Sequence, residues 1–165
     1  MPRAGRIEKK HIAPDPLYQS SLVAKLINKI MTSGKKALAQ RVVYDALESL
    51  KSKGLEPVNI LEKAIENITP RMEVRPRRVG GASYMVPMEV RGSRRLSLAI
   101  SWLVNAARSR KASDITPKPK NKPLIIAKLS QEILQASENT GKAVAKKDEM
   151  HRIAEANKAF AHFRW

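Results

Sequence analysis

The sequence predicts a mainly α-helical protein, in which a bundle of about six helices carries one protruding two-stranded β-hairpin arm. Apolar residues recur every three or four positions in six segments, which is the spacing of a helix with one buried face. Between the third and fourth segments the period changes to two, which is typical of strands. The 165 residues, 42% of them hydrophobic, suffice for one core, so residues 1–165 are expected to form a single domain.

The first 70 residues predict a tail and three helices. Residues 1–16 lack periodicity and contain two prolines, so they are expected to form a basic, extended tail. The first helix follows a capping serine, the third starts near Pro57, and the three end at Gly34, Gly54 and Pro70. The predicted buried faces are Leu22, Val23, Leu26, Ile27, Ile30 and Met31; Leu38, Val42, Val43, Ala46, Leu47 and Leu50; and Ile60, Leu61, Ala64, Ile65 and Ile68.

The arm is predicted at residues 71–91. Strand-like runs at Met72–Val79 and Tyr84–Val90 flank Gly80–Gly81, a pair that tolerates the positive φ of a tight hairpin turn. A proline in each run removes one ladder donor, which suits a ribbon with free edges rather than a central sheet position. Buried guanidinium groups without partners are costly, so a hairpin this rich in arginine is expected to extend toward an anionic partner.

Three helices are expected after the arm. The helical pattern resumes at Ser93, and residues 111–123, rich in proline and lysine, predict a solvated loop. A fifth helix should start at Pro123 and be broken by Gly141, and a sixth should start near Asp148. The predicted buried faces are Leu96, Ala99, Ile100, Leu103, Val104 and Ala107; Ile125, Ile126, Leu129 and Ile133; and Met150, Ile153, Ala156, Asn157 and Phe160.

The charge indicates the class of partner. Lys and Arg number 32 against 15 acids, for a net charge of +17. Like charges at this density repel each other in the compact state, so a polyanionic partner is implied, and nucleic acid is the first candidate. The charge is uneven: residues 71–95 carry seven bases and two acids, whereas residues 12–70 carry eight and six. Binding is therefore expected to be salt-dependent and concentrated at particular segments.

Several other classes are excluded or unsupported. Without cysteine there are no disulfides, thiolate zinc sites or thiol nucleophiles. No apolar run approaches the ~18 residues of a membrane span, and no signal peptide is recognisable. We therefore expect a soluble, intracellular protein without a membrane partner, in the cytoplasm or an organelle.

No catalytic constellation is found. Ser33-Gly34-Lys35-Lys36 resembles the end of a phosphate-binding loop, but Lys29 replaces the glycine that such a loop needs five residues earlier. A glycine that ends a helix, followed by exposed lysines, explains it better. The histidines at 11, 151 and 162 lack metal-binding spacing, and Glu73 and Glu89 are expected to pair with arginines. We therefore expect neither an enzyme nor a cofactor or small-molecule substrate.

The arginines around the hairpin are the strongest functional signal. Three near the turn, with one ring that could stack on a base, are Arg75, Arg77, Arg78 and Tyr84. Three more crowd a helix start, where the helix dipole disfavours cations: Arg91, Arg94 and Arg95. The competing interpretation is a charged edge that prevents aggregation, a role that lysine usually serves.

Ordered motifs along nearly the whole chain resemble the bacterial-type small-subunit ribosomal protein number seven family. They are Asp15-Pro16; Met31-Thr-Ser-Gly34-Lys35-Lys36, with Val43-Tyr44 and Ala46; Arg77-Arg78-Val79-Gly80-Gly81; Val86-Pro87; Glu89-Val90; and the ending Ala154-Glu155-Ala156-Asn157-Lys158-Ala159-Phe160-Ala161-His162-Phe163-Arg164-Trp165. The departure is the loop at residues 111–123, which is longer and richer in proline than the usual family pattern.

The resemblance implies a structural protein that binds small-subunit ribosomal RNA directly and early and nucleates assembly of the ribosomal head. It also implies a position near the exit (E) site and the decoding region, close to transfer RNA and messenger RNA, with neighbouring head and platform proteins as partners. Implied RNA contacts, the last three added on physical grounds, are Arg3, Arg6, Lys9, Lys10, Lys35, Lys36, Arg75, Arg77, Arg78, Arg91, Arg94 and Arg95. Implied neighbours of transfer RNA are Arg78, Gly80, Gly81 and Tyr84.

Two other functions stay open at this point. An architectural DNA-binding protein can also combine helices with basic ribbon arms that carry prolines. An RNA-processing enzyme would need a cluster of histidines or acids near the arm, which the sequence does not offer.

Overall fold

The computed structural model describes residues 11–52, 54–115 and 123–163, and these contain six α-helices and one antiparallel hairpin. The predicted mainly helical fold with a hairpin arm is thereby confirmed. The elements are α1 Ser21–Ile30, α2 Lys36–Lys51, α3 Pro57–Ile68, β1 Met72–Val79, β2 Ala82–Glu89, α4 Gly92–Ser109, α5 Leu124–Ser137 and α6 Gly141–Ala156, with 3-10 segments at Ala112–Asp114 and Lys158–Phe163.

The core lies between α5 and the helices around it, since α5 packs against α2, α3, α4 and α6. The apolar stripes of the first five helices are buried almost as the periodicity predicts. Leu38, in the first turn of α2, is the exception: it was predicted to be buried but is 54% exposed. The capping prediction is confirmed by the Ser20 Oγ atom, which accepts a hydrogen bond from the Leu22 amide.

The segment before α1 is fixed to α2 by a buried aspartate. Asp15 is 3% exposed, and its carboxylate accepts hydrogen bonds from the amides of Leu17 and Tyr18 and, at 2.7 Å, from the hydroxyl of Tyr44. Burial, together with this contact to Asp15, raises the pKa of Tyr44 to about 12, so the hydroxyl keeps its proton. Residues 11–16 form no helix or strand, but their end is anchored by a buried carboxylate rather than free.

The predicted start of the last helix was wrong. Helix α6 begins at Gly141, seven residues before Asp148, and the chain changes direction at Gly141, whose φ of 93° only glycine adopts readily. The first turn buries Ala143 and Val144, because the amide of Ala143 donates to the buried carboxylate of Glu132. The predicted face of this helix fails accordingly: Ile153 is 40% exposed, and Phe160 lies beyond the helix in the 3-10 segment Lys158–Phe163.

The region predicted as a solvated loop, residues 111–123, is partly structured. It opens with the 3-10 turn Ala112–Asp114, and the side chain of Ile115 is only 3% exposed. An apolar residue directly before a proline- and lysine-rich stretch can still be buried, which composition alone does not reveal. Residues 116–122 lie outside the described residues.

Candidate nucleic-acid interface

The hairpin turns tightly at Gly80–Gly81, with φ values of 57° and 89°, so the glycine pair occupies the positive-φ turn expected of it. Its first strand was placed correctly, but its second begins at Ala82 rather than Tyr84. The antiparallel register pairs Arg77 with Tyr84 and Arg78 with Ser83. Because residues paired across a ladder share a face, these two pairs point to opposite sides of the arm.

We name the two faces by their residues. The covered face carries Glu73, Arg75, Arg77 and Val79 with their partners Met88, Val86, Tyr84 and Ala82. The opposite side carries Val74 and buried Pro87 near the base, and its outer part, which we call the open face, carries Pro76 and Arg78 with their partners Met85 and Ser83. All four residues of the open face are exposed, and Met85 is 51% exposed. On the covered face Glu73 and Val86 are buried and Arg77 and Tyr84 are half-buried.

Glu73 joins the base of the arm to the start of α4. Its carboxylate accepts from Arg75 at 2.7 Å and from the Nε atom of Arg94 at 2.8 Å, and the glutamate is only 6% exposed. The ion pairs predicted for the two arm acids are confirmed, since Glu89 pairs with Arg95 at 2.6 Å. Arg95 also donates from Nε to the carbonyl of Val90. Two of the arginines at the helix start therefore fix the arm as well as carrying charge.

A third connection links the arm to α6. The backbone amide of Arg71, directly before β1, donates to the Nε2 atom of His151 at 3.0 Å. Burial and the nearby charge of Lys147 lower the pKa of His151, which favours the neutral ring that this acceptor role requires. His151 thus accepts a hydrogen bond that holds the start of β1 against α6.

The Glu73 cluster predicts a pH-dependent contribution to stability. Burial alone would raise the pKa of Glu73, but hydrogen bonds from Arg94 and Arg75 outweigh it and lower the pKa below the ordinary 4.5. The stabilisation is therefore complete above pH 4.5 and is lost as the pH falls through the lowered value. Both arginines are about half exposed, so solvent screens their attraction to Glu73. Glu73→Gln should therefore lower the free energy of unfolding by about 1–2 kcal/mol at pH 7.

Urea unfolding of the variant and of wild type from pH 7 down to pH 3 measures this contribution. The difference between the two should shrink toward zero at the acid end. Glu89→Gln is the matched control, because the side chain of Glu89 is 65% exposed, and it should change little at any pH. A difference for Glu73→Gln that stayed constant down to pH 3 would contradict the assignment.

The cations fall into two groups. The side chains of Arg75, Arg94 and Arg95 are 47%, 50% and 33% exposed and already bind acids. Arg78 and Arg91 are exposed and have no ion pair within the described ranges, whereas half-buried Arg77 does interact within the chain. The sequence alone does not separate the arginines that pair with acids from the others, because the acid that each arginine meets depends on tertiary contacts.

The corner before α2 carries two more predicted cations. Lys35 and Lys36 are both exposed, Lys35 being the capping residue and Lys36 the first residue of the helix. Neither α2 nor α4 has an acid in its first turn, so the positive end of each helix dipole adds to these side-chain charges. The remaining predicted cations, Arg3, Arg6, Lys9 and Lys10, lie outside the described residues.

Tyr84, the ring that could stack on a base, packs against other rings of the chain. Its ring lies 5.2 Å from the ring of Phe160 and 5.4 Å from that of Phe163, measured between centroids. The stacked rings of Phe160 and Phe163 are 6.4 Å apart, and His162 contacts Phe163. The 3-10 segment Lys158–Phe163 therefore packs on the covered face of the arm. No sequence signal could have found this contact, because its two sides are about 76 residues apart.

Other kinds of site find little support in the described part of the chain. Its His, Asp and Glu side chains form no group of three or more that could hold a metal ion. The clefts are open, and the one between α3, α5 and α6, of about 680 Å³, is lined by charges of both signs. No helix among the described residues is both long and apolar enough to cross a membrane.

Comparison with known proteins agrees with this arrangement. A family model described as ribosomal protein S7p/S5e matches residues 2–158. Small ribosomal subunit protein uS7 of Dictyoglomus thermophilum is 53% identical over the full length of both chains, and those of Caldicellulosiruptor bescii and Thermodesulfovibrio yellowstonii are 52% and 51% identical, again over the full length of both. The family resemblance inferred from the motifs is thus confirmed, and this chain belongs to the ribosomal protein S7p/S5e family.

Proposed function

We propose that this chain, as a structural and non-enzymatic constituent of the small ribosomal subunit, binds small-subunit ribosomal RNA directly and early and so nucleates assembly of the head. It lies near the E site and the decoding region, where the arm tip and the C-terminal end approach transfer RNA and messenger RNA. Neighbouring head and platform proteins complete its partners. Family membership supports the structural role in the small ribosomal subunit, and the net charge of +17 supports RNA as the partner.

The observation that carries the proposal is an arginine-rich arm whose base is fixed. Glu73 and Glu89 bind the base of the arm to α4, and His151 binds it to α6. Arg78 is exposed beside the turn. An arm fixed at its base presents its cations in a set geometry, so less conformational entropy is lost when RNA binds. A charged edge that only prevents aggregation would not need this anchoring.

The exposed cations are the primary phosphate contacts in this proposal: Lys35, Lys36, Arg78 and Arg91. Arg75, Arg94 and Arg95 contribute as well, because a guanidinium has five N–H donors and the acids use only part of them. Arg77 and the tail cations Arg3, Arg6, Lys9 and Lys10 complete the RNA-binding set. Such contacts read the shape and the phosphates of a folded RNA more than its base edges.

At the tip, Arg78, Gly80 and Gly81 approach transfer RNA. Because the ring of Tyr84 already packs on Phe160 and Phe163, we assign it a place near transfer RNA without a stacking role. The loop at residues 111–123 adds a lineage-specific RNA contact. Its support is the excess of bases in residues 108–128, which hold one acid and, besides the buried and ion-paired Arg110, six Lys or Arg residues.

A competition experiment tests the proposal against the architectural DNA-binding alternative. Labelled small-subunit ribosomal RNA is bound to the protein, and unlabelled ribosomal RNA or duplex DNA is added at equal nucleotide concentration. We expect ribosomal RNA to displace the label and duplex DNA to leave most of it bound. Displacement by DNA as effective as by RNA would favour the architectural alternative.

A further inference from the structure

The arm is held at two places by different chemistry. Its base is fixed by the ion pairs of Glu73 and Glu89 with arginines of α4. Nearer the tip, the ring cluster of Tyr84, Phe160 and Phe163 joins β2 to the 3-10 segment Lys158–Phe163. We call these three residues the aromatic latch.

The position of the latch determines which face of the arm stays accessible. Tyr84 is the second residue after the turn pair Val79–Ala82, and it lies directly opposite Arg77. The rings of Phe160 and Phe163 pack on Tyr84 on this side, where Arg77 is half-buried. On the opposite side Arg78 and Met85 remain exposed. The C-terminal segment thus blocks one face and leaves the other for a partner.

A two-stranded ribbon needs such a support. Two strands alone are marginally stable in water, and here a proline in each strand removes one ladder donor. The ion pairs fix only the base of the arm. The residue of β1 nearest the tip that takes part in them is Arg75, the fourth of eight residues in that strand. The packing of Tyr84 on two rings supplies the contact that keeps the outer half of the arm at a fixed angle.

We propose that the aromatic latch positions the arm, so that the C-terminal segment decides which face of the hairpin meets RNA. Tyr84, Phe160 and Phe163 are positioning residues: their rings act on RNA through the orientation of Arg78 and the open face. This inference rests on the proposed function, because it takes the arm to be an RNA contact. It goes further by naming the face used and the segment that sets it.

The first test uses the free protein, with Phe160→Ala as the variant. Hydrogen exchange of backbone amides in residues 77–85 should become about tenfold faster, because the lost ring contacts no longer oppose local opening. Exchange in α2 and α5 should not change. Met85→Ala is the matched control on the open face and should leave exchange within twofold of wild type, and Phe160→Tyr should restore protection. Unchanged exchange in Phe160→Ala would overturn the proposal.

The second test maps the RNA near the arm. The chain has no cysteine, so Ser83→Cys on the open face places a single thiol for a tethered Fe(II)–EDTA probe. Bound to small-subunit ribosomal RNA, this protein should cleave a defined group of nucleotides. Adding Phe160→Ala should reduce that cleavage at least threefold and spread it over neighbouring positions. A probe at Thr32→Cys, in the corner before α2, should give the same pattern with and without Phe160→Ala.

The outcomes separate this inference from the proposed function. A wild-type protein that fails to bind ribosomal RNA overturns the proposed function, while the hydrogen-exchange result still measures the latch. If the protein binds ribosomal RNA and Phe160→Ala leaves the cleavage pattern of the Ser83→Cys probe unchanged, only the latch proposal is overturned. If Phe160→Ala abolishes RNA cleavage by the probes at both Ser83→Cys and Thr32→Cys, the latch proposal is also overturned. The ring of Phe160 would then support the fold in general rather than the arm.

Discussion

Replacing Arg110 with methionine is expected to lower the free energy of unfolding by about 3–5 kcal/mol, because it leaves a buried carboxylate without its counter-ion. Glu132 has no exposed surface and binds the guanidinium of Arg110, which is itself 6% exposed. The same guanidinium donates to Gln135 at 2.6 Å. Glu132 also accepts from the amide of Ala143 at 2.9 Å, so the pair joins the end of α4 to α5 and to the start of α6.

Urea unfolding monitored by circular dichroism measures the effect. Arg108→Met is the matched control: Arg108 is exposed and donates to the carbonyl of Ile30, so about 1 kcal/mol or less should be lost. The double variant Arg110→Met with Glu132→Gln should be more stable than Arg110→Met alone. The glutamine amide that replaces the Glu132 carboxylate can still accept a hydrogen bond from the Ala143 amide, and it leaves no buried charge. If Arg110→Met came within 1 kcal/mol of wild type, the buried pair would not hold the three helices together.

Removing three exposed cations is expected to weaken binding to ribosomal RNA by about 100-fold at 0.15 M salt. The set is Lys35→Ala, Lys36→Ala and Arg78→Ala, which joins the corner before α2 to the open face of the arm. Each lost phosphate contact should also reduce the salt slope by about 0.7–0.9, so the slope should fall by about 2–3. None of the three side chains is buried, so the variant should unfold at nearly the same urea concentration as wild type.

A matched control removes the same amount of charge from positions outside the corner and the arm. Arg41→Ala, Lys51→Ala and Lys63→Ala are also exposed, and none of them belongs to the proposed RNA-binding set. We expect the affinity of this control for RNA to fall less than about fivefold. Filter binding over a series of salt concentrations gives both quantities. Equal losses in the two variants would show that net charge, rather than these positions, determines binding.

The helices could be predicted largely because burial repeats with the helical period. The first five helices follow apolar stripes, and α1, α2, α3 and α5 are each followed within four residues by a glycine or proline, so their boundaries were close to those observed. Gly141 misled the prediction of the sixth, because the same positive φ can end one helix or connect it directly to the next. The cap that Glu132 provides for Ala143 decides between the two, and it exists only in three dimensions.

The site could be predicted by residue type but not by partner. The pattern showed that the arm was rich in arginine and that Glu73 and Glu89 would meet arginines, which the structure confirms. It could not show that Glu73 reaches Arg94, 21 residues away, or that Tyr84 packs on Phe160. Glu132 did leave a signal, since it lies three residues after Leu129 and directly before Ile133, on the buried stripe of α5. A charge at such a position requires a buried partner, but the spacing cannot identify Arg110.

The most direct test of the central claim is sedimentation of the native protein with small ribosomal subunits through a gradient after a salt wash. A protein that binds folded ribosomal RNA through its basic tail, the corner before α2 and the arm should remain with the subunits. It should leave only at salt concentrations that also remove other directly RNA-bound proteins. Recovery of the protein at the top of the gradient, while those proteins stay with the subunit, would contradict the account.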